Sequence, residues 1–161
     1  MKMDKMLSIL KENARISLEE LSGLLGITTD EAADRLDSYI ASGVIRGFTT
    51  VNDWEKTEEK YVTALIDLKV TPMKQFGFDA IAREIAAFDE VESVYLMSGG
   101  YDLGLTIHAS NFRDVALFVY ERIAPLEGVV STATHFVLRR YKEAGISFLE
   151  EQRDERSEFL Q

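Results

Sequence analysis

Apolar residues recur at three- and four-residue intervals early in the chain and at every second position in several later runs. The pattern therefore predicts helices first and strands afterwards. Met3, Met6, Leu7 and Leu10 make one helical stripe. Ser17-Leu-Glu-Glu20 then marks a helix start, because the Ser hydroxyl can accept from the amide three residues on while Glu20 reaches back to the free amide of Ser17. Leu18, Leu21, Leu24 and Leu25 give that helix its buried face, and Gly26 ends it, since glycine takes a left-handed backbone without steric cost. Thr28-Thr-Asp-Glu31 repeats the start signal. The helix it opens sets Ala32, Leu36 and Ile40 inward, with Ala33 and Tyr39 flanking, and stops at Gly43. Val44–Val51 is a short β-type run expected as a wing. Three helices and a wing spell a winged helix-turn-helix over residues 1–51, the layout of a DNA reader; the plainer reading is a three-helix packing module without a ligand.

Residues 52–60 are polar apart from Trp54 and have no helical period, which predicts a linker with the Trp as its anchor. Beyond it the chain repeats: Arg83–Val94 aligns with Glu121–Thr132, matching Ile85 with Ile123, Phe88 with Leu126 and Val91 with Val129. Each copy lies in a strand-helix-strand frame. The predicted elements are strand Tyr61–Val70, helix Phe78–Phe88, strand Val91–Met97, strand Leu103–Ala109, helix Phe112–Ile123 and strand Val129–Arg140, a ferredoxin-like βαββαβ unit over residues 61–145. Ile81, Ile85 and Phe88, with Val115, Val119 and Ile123, should face the sheet. The fold class is α+β. Strand one alternates Val62, Ala64, Ile66, Leu68 and Val70 against Tyr61, Thr63, Leu65, Asp67 and Lys69, and the last strand sets Phe136 and Leu138 opposite Val137. Apolar side chains on both faces predict that a second copy covers the side without helices, giving a homodimer. Residues 146–161 form an acidic tail, either a solvated helix or an assembly contact.

Charge complicates the DNA reading. The chain of 161 residues has net charge −10, and residues 1–50 hold six basic against eight acidic side chains. The second helix of the motif exposes Asp30, Asp34 and Asp37 beside a single Arg35, so each copy should bind phosphates weakly and several copies must act together. Carboxylates can accept from cytosine amino groups, and Thr28 and Thr29 can meet phosphate or base edges, so double-stranded DNA stays a candidate partner. The sequence contains no cysteine, which excludes disulfides and thiolate chemistry. No apolar stretch approaches a membrane span and the N-terminus lacks a signal-peptide core, so a cytoplasmic protein is expected.

Three segments carry a resemblance to a known family: RISLEELSGLLGIT at 15–28, Arg35-Leu36 followed by Gly43-Val-Ile45, and Ser98-Gly-Gly-Tyr-Asp102 between the central strands. They resemble the leucine-responsive regulatory protein/AsnC (feast/famine) transcription regulators over roughly residues 3–145, with Gly-x-Tyr-Asp the most diagnostic element. The resemblance implies a winged helix-turn-helix joined to a ferredoxin-like, RAM-type domain that senses an amino acid, assembled as dimers and often octamers, and a regulator rather than an enzyme. By position it implies DNA contacts at Thr28, Thr29, Ala32, Arg35 and Ser38. It also implies an effector site between subunits at Ser98, Gly99, Gly100, Tyr101 and Asp102, with Thr132, Thr134 and His135 as neighbours. Asp37, Ser38 and Ala41 stand where relatives often have basic residues.

The turn makes chemical sense by itself, because Gly99 and Gly100 let amides approach a carboxylate and Asp102 can pair with an α-ammonium group. Gly-Gly-x-Asp is equally an ordinary hairpin turn. His108 and His135 stand without a cysteine or carboxylate at metal-ligand spacing, so no metal and no cofactor beyond an amino-acid effector is expected. No nucleophile–base pair and no phosphate cradle before strand one supports an enzyme. The rival that remains is an effector-binding or protein-interaction module whose acidic helix-turn-helix has lost DNA.

Overall fold

The computed structural model describes residues 4–59, 61–72 and 77–149. Met3 and tail residues 150–161 lie outside that range. The chain divides into two compact units, Met1–Val51 and Asn52–Gln161.

The first unit holds α1 (Lys5–Glu12), α2 (Leu18–Leu25) and α3 (Thr29–Ala41). Asp4 caps α1 by accepting from the amides of Met6 and Leu7. Both predicted capping boxes form: the Glu20 amide donates to Ser17 Oγ at 3.2 Å and the Glu31 amide to Thr28 Oγ1 at 3.2 Å, with each glutamate returning to its cap amide. The left-handed turn after α2 is taken by Gly26 at φ 72°. Met6, Leu10 and Leu21 make the core, with Ile16, Leu36, Tyr39 and Ile45 packed on it. The expected wing differs. Residues 46–53 form neither strand nor helix, and Ile45, whose amide donates to the Tyr39 carbonyl at 3.0 Å, packs on the core. A single run supplies no second strand within its own unit, so no ladder closes.

The second unit contains β1 (Val62–Val70), α4 (Asp79–Ala86), β2 (Val91–Leu96), β3 (Leu103–Ala109), α5 (Phe112–Phe118) and β4 (Val129–Phe136). The sheet order is β2-β3-β1-β4, and every neighbouring pair is antiparallel. Ala64, Ile66 and Leu68 of β1 and Leu103, Leu105 and Ile107 of β3 are buried with Ile81, Ile85, Val115 and Ile123 of the helical segments. The second helix is not uniform to Ile123; its last turn, Val119–Ile123, winds as a π-turn, closed where the Ala124 amide donates to the Val119 carbonyl at 2.8 Å. The last strand ends at Phe136 rather than Arg140. Beyond it β5 (Lys142–Glu143) and β6 (Ile146–Ser147) pair as a small hairpin, which crosses the point where the sequence places the start of the tail.

Candidate functional site

Two surfaces hold the residues singled out by sequence. On α3, Thr29 and Ser38 are exposed and accessible to a ligand. Ala32 is not: it is fully buried against the core, as its inward position on the helix demands, and cannot touch DNA. The Thr28 hydroxyl is occupied by the cap, since its Oγ1 also donates to Glu31 Oε2 at 3.1 Å. The Thr28 amide and hydroxyl together hold the Glu31 carboxyl below the ordinary carboxylate range. Arg35, exposed on the flank of α3, pairs with Asp4 and shares Tyr39 Oη through Nε and Nη2 at 3.4 Å each.

The second surface is the β2–β3 turn and the sheet face without helices. Ser98, Gly99 and Gly100 are exposed, and Tyr101 is half-buried. Asp102 is tied down: Oδ2 accepts from the Val70 amide at 2.9 Å and Oδ1 from Lys69 Nζ at 3.0 Å. Its own amide donates to the Leu68 carbonyl at 2.9 Å and its carbonyl accepts from Met97 at 2.8 Å. The Val70 amide and Lys69 hold its carboxyl below the ordinary range. The expectation that Asp102 waits for an α-ammonium group is therefore corrected: both oxygens stitch the turn to the end of β1. Replacing it by Ala removes a fold contact rather than an idle ligand.

Strand parity corrects a second grouping. Thr132 pairs with Leu68 and Thr134 with Ile66, so both lie on the face covered by helices, whereas His135 pairs with Leu65 and lies on the open face. The three residues therefore do not form one patch. His135 Nε2 sits 3.4 Å from Asp67 Oδ2, and His108 Nε2 lies 2.6 Å from Glu92 Oε2 while its Nδ1 meets Thr63 Oγ1 at 3.1 Å. These imidazoles are partnered across strands, and no group of three metal-ligating side chains occurs among the described residues.

The open face holds more than the sequence indicated. Trp54 packs on Tyr61 with ring centres 5.3 Å apart and Tyr61 on His108 at 4.6 Å, both pairs tilted at 58°, so the Trp anchors the linker to the sheet unit itself. Burial, then Glu92 and Glu143, push the Tyr61 phenol up against the opposing pull of Arg140. Arg140 donates to the Asn52 carbonyl at 2.8 Å, pairs with Glu143 and lies over Phe148 at 4.2 Å. Trp54, Tyr61, His108, Arg140 and Glu143 line a basin of about 870 Å³ together with Leu65, Tyr95 and Thr106. Gly104 keeps Met97 across that face, because a Cβ there would lie 2.8 Å from Met97 Sδ. No spacing rule announces either feature; both depend on the β2–β3 register.

The chain matches the Lrp/AsnC ligand binding domain over residues 63–146 and a winged helix-turn-helix DNA-binding domain over residues 5–46. The chain belongs to the Lrp/AsnC family. The Bacillus subtilis HTH-type transcriptional regulator YugG is 44% identical over 145 residues, 89% of this chain and 87% of its own. E. coli AsnC shares the fold with a TM-score of 0.67 at 18% identity, over 89% of this chain and 97% of its own. A Neisseria meningitidis regulator solved as an L-Met complex superposes with a TM-score of 0.69 at 23% identity, over 88% of this chain and 94% of its own. This Lrp/AsnC protein is accordingly a transcriptional regulator with a DNA-binding helix-turn-helix and a ligand-binding domain, and not an enzyme. Among the described residues no helix is long and apolar enough to cross a membrane.

Proposed function

We propose that this regulator binds specific DNA sequences in the cytoplasm and that its occupancy answers to an amino acid or related small effector held between subunits. One observation carries the reading: a single chain joins two reciprocally capped helix-turn-helix helices to a ligand-binding domain whose β2–β3 turn leaves Ser98, Gly99 and Gly100 exposed. Amides at such a turn suit a carboxylate. With Asp102 committed to Lys69 and Val70, the carboxylate of the turn is already engaged, so a second copy supplies the negative partner for the ammonium end. The L-Met bound by the Neisseria relative supports the ligand class.

The second copy docks on the open sheet face, where Leu65 is 45% and Tyr95 62% exposed, to give a homodimer, and dimers gather further toward octamers. On α3, Thr29, Ser38 and Arg35 meet the duplex, and several weak heads add up. A competing reading has its own support: the exposed Asp30, Asp34 and Asp37, with Arg35 tied to Asp4, suit a module that has abandoned DNA. Mobility-shift titration of the full chain on its own upstream duplex across salt concentrations separates the two. Binding that weakens steeply as salt rises supports the regulator acting through α3. Indifference to the duplex in dilute buffer supports the module.

A further inference from the structure

Helix α3 carries four carboxylates, Asp30, Glu31, Asp34 and Asp37, and one cation, Arg35. That cation is already engaged. Its Nη2 donates to Asp4 Oδ2, a residue 31 positions earlier in sequence. Asp4 uses its other oxygen, Oδ1, to cap α1, accepting from Met6 at 2.9 Å and Leu7 at 3.3 Å. From the other side Tyr39, one turn along α3, accepts from the guanidinium, which lies 5.8 Å from its ring centre. One carboxylate thus performs two tasks, ordering the first helix and neutralising the only positive charge of the third.

We propose that Asp4 is an intramolecular competitor for Arg35: it restrains the guanidinium and lowers the DNA affinity of each copy. The inference rests on the reading of α3 as the duplex-facing helix. Any phosphate or base acceptor that takes Nη2 must displace the Asp4 carboxylate or share with it, and on displacement leaves that charge unpaired beside the duplex. The pair is half-exposed, with side-chain exposures of 42% for Arg35 and 28% for Asp4, so displacement is feasible and the restraint is graded rather than absolute. Desolvation pulls the Asp4 carboxyl upward, but the Leu7 and Met6 amides and the Arg35 charge together hold it below the ordinary range, so it stays ionised where DNA would bind.

Asp4→Asn separates the two tasks, because an asparagine oxygen still caps α1 while the charge is gone. Fluorescence anisotropy of the full chain on a duplex from its own upstream region, and on a random duplex of equal length, should show Asp4→Asn binding about two- to fivefold tighter than wild type. The salt slope should steepen by about one per head. In an Arg35→Gln background the same substitution should produce no such gain. Equal or weaker binding by Asp4→Asn, with wild type bound, overturns the restraint. If neither protein binds in dilute buffer, the DNA reading itself fails and takes this inference with it. Titration of the Asp4 carboxyl by NMR then shows what is left: a midpoint that rises in Arg35→Gln means that the pair is purely a structural tie.

Discussion

The helix-turn-helix unit and the sheet unit are specified over very different distances. In the first, the deciding contacts span three residues: Ser17 with Glu20, Thr28 with Glu31, and the glycine that closes α2. In the second, the deciding contacts join strands far apart in sequence, such as Leu68 with Leu103 and Ile66 with Thr134. The first unit is held by many small local terms around a core centred on Met6, Leu10 and Leu21; the second buries a continuous layer between sheet and helices. The lesson is functional. A small head with an acidic α3 has little charge to offer DNA by itself, whereas the sheet unit matches a ligand-binding domain and exposes Leu65 and Tyr95 on its open face, where a second copy is proposed to dock.

The sharpest way to break that contrast is a cavity in the sheet. Ile66→Ala, at a fully buried site between β3 and β4, should cost about 2–5 kcal/mol, with amide protection collapsing in the second unit alone. Denaturant unfolding followed by hydrogen exchange checks this, and equal loss in α1–α3 would show the units to be one cooperative body.

Asp102→Ala should lower the melting temperature by several degrees by releasing the turn from Lys69 and Val70. The pH dependence has a definite sign. Because the folded carboxyl titrates below its unfolded value, its stabilisation is present above the ordinary carboxylate pKa and is lost as pH falls through the lowered one. The gap between wild type and Asp102→Ala should therefore narrow in acid, and a gap that widens there would contradict the tie. The smallest effect belongs to the local unit: Thr28→Ala should cost about 1 kcal/mol, read as faster exchange in α3 with the sheet unaffected.

Legibility in the sequence follows the same division. The capping boxes, the glycine stop, the order of strands and helices and the inward faces at Ile81, Ile85, Val115 and Ile123 follow from local spacing or from period. The split of Thr132 and Thr134 from His135 is also readable, since alternate strand residues face opposite ways, a rule that the positions implied by the resemblance do not follow. Ala32 fails as a DNA contact for the same reason, its helical position already pointing inward. Other features have no local signature. The engagement of Asp102 by Lys69 and Val70, the His108–Glu92 pair and the Asp4–Arg35 pair each need the tertiary register, which no spacing along one segment encodes. The unpaired run after Ile45 shows the converse: β-type residues make a ladder only where a second strand meets them.

Joining of copies through the open sheet face is tested most directly by sedimentation of the full chain at micromolar concentration. The predicted result is a dimer or a larger closed assembly for wild type, shifting toward monomer when Leu65→Glu places a charge on that face. A wild-type protein that sediments as a monomer at that concentration would contradict it.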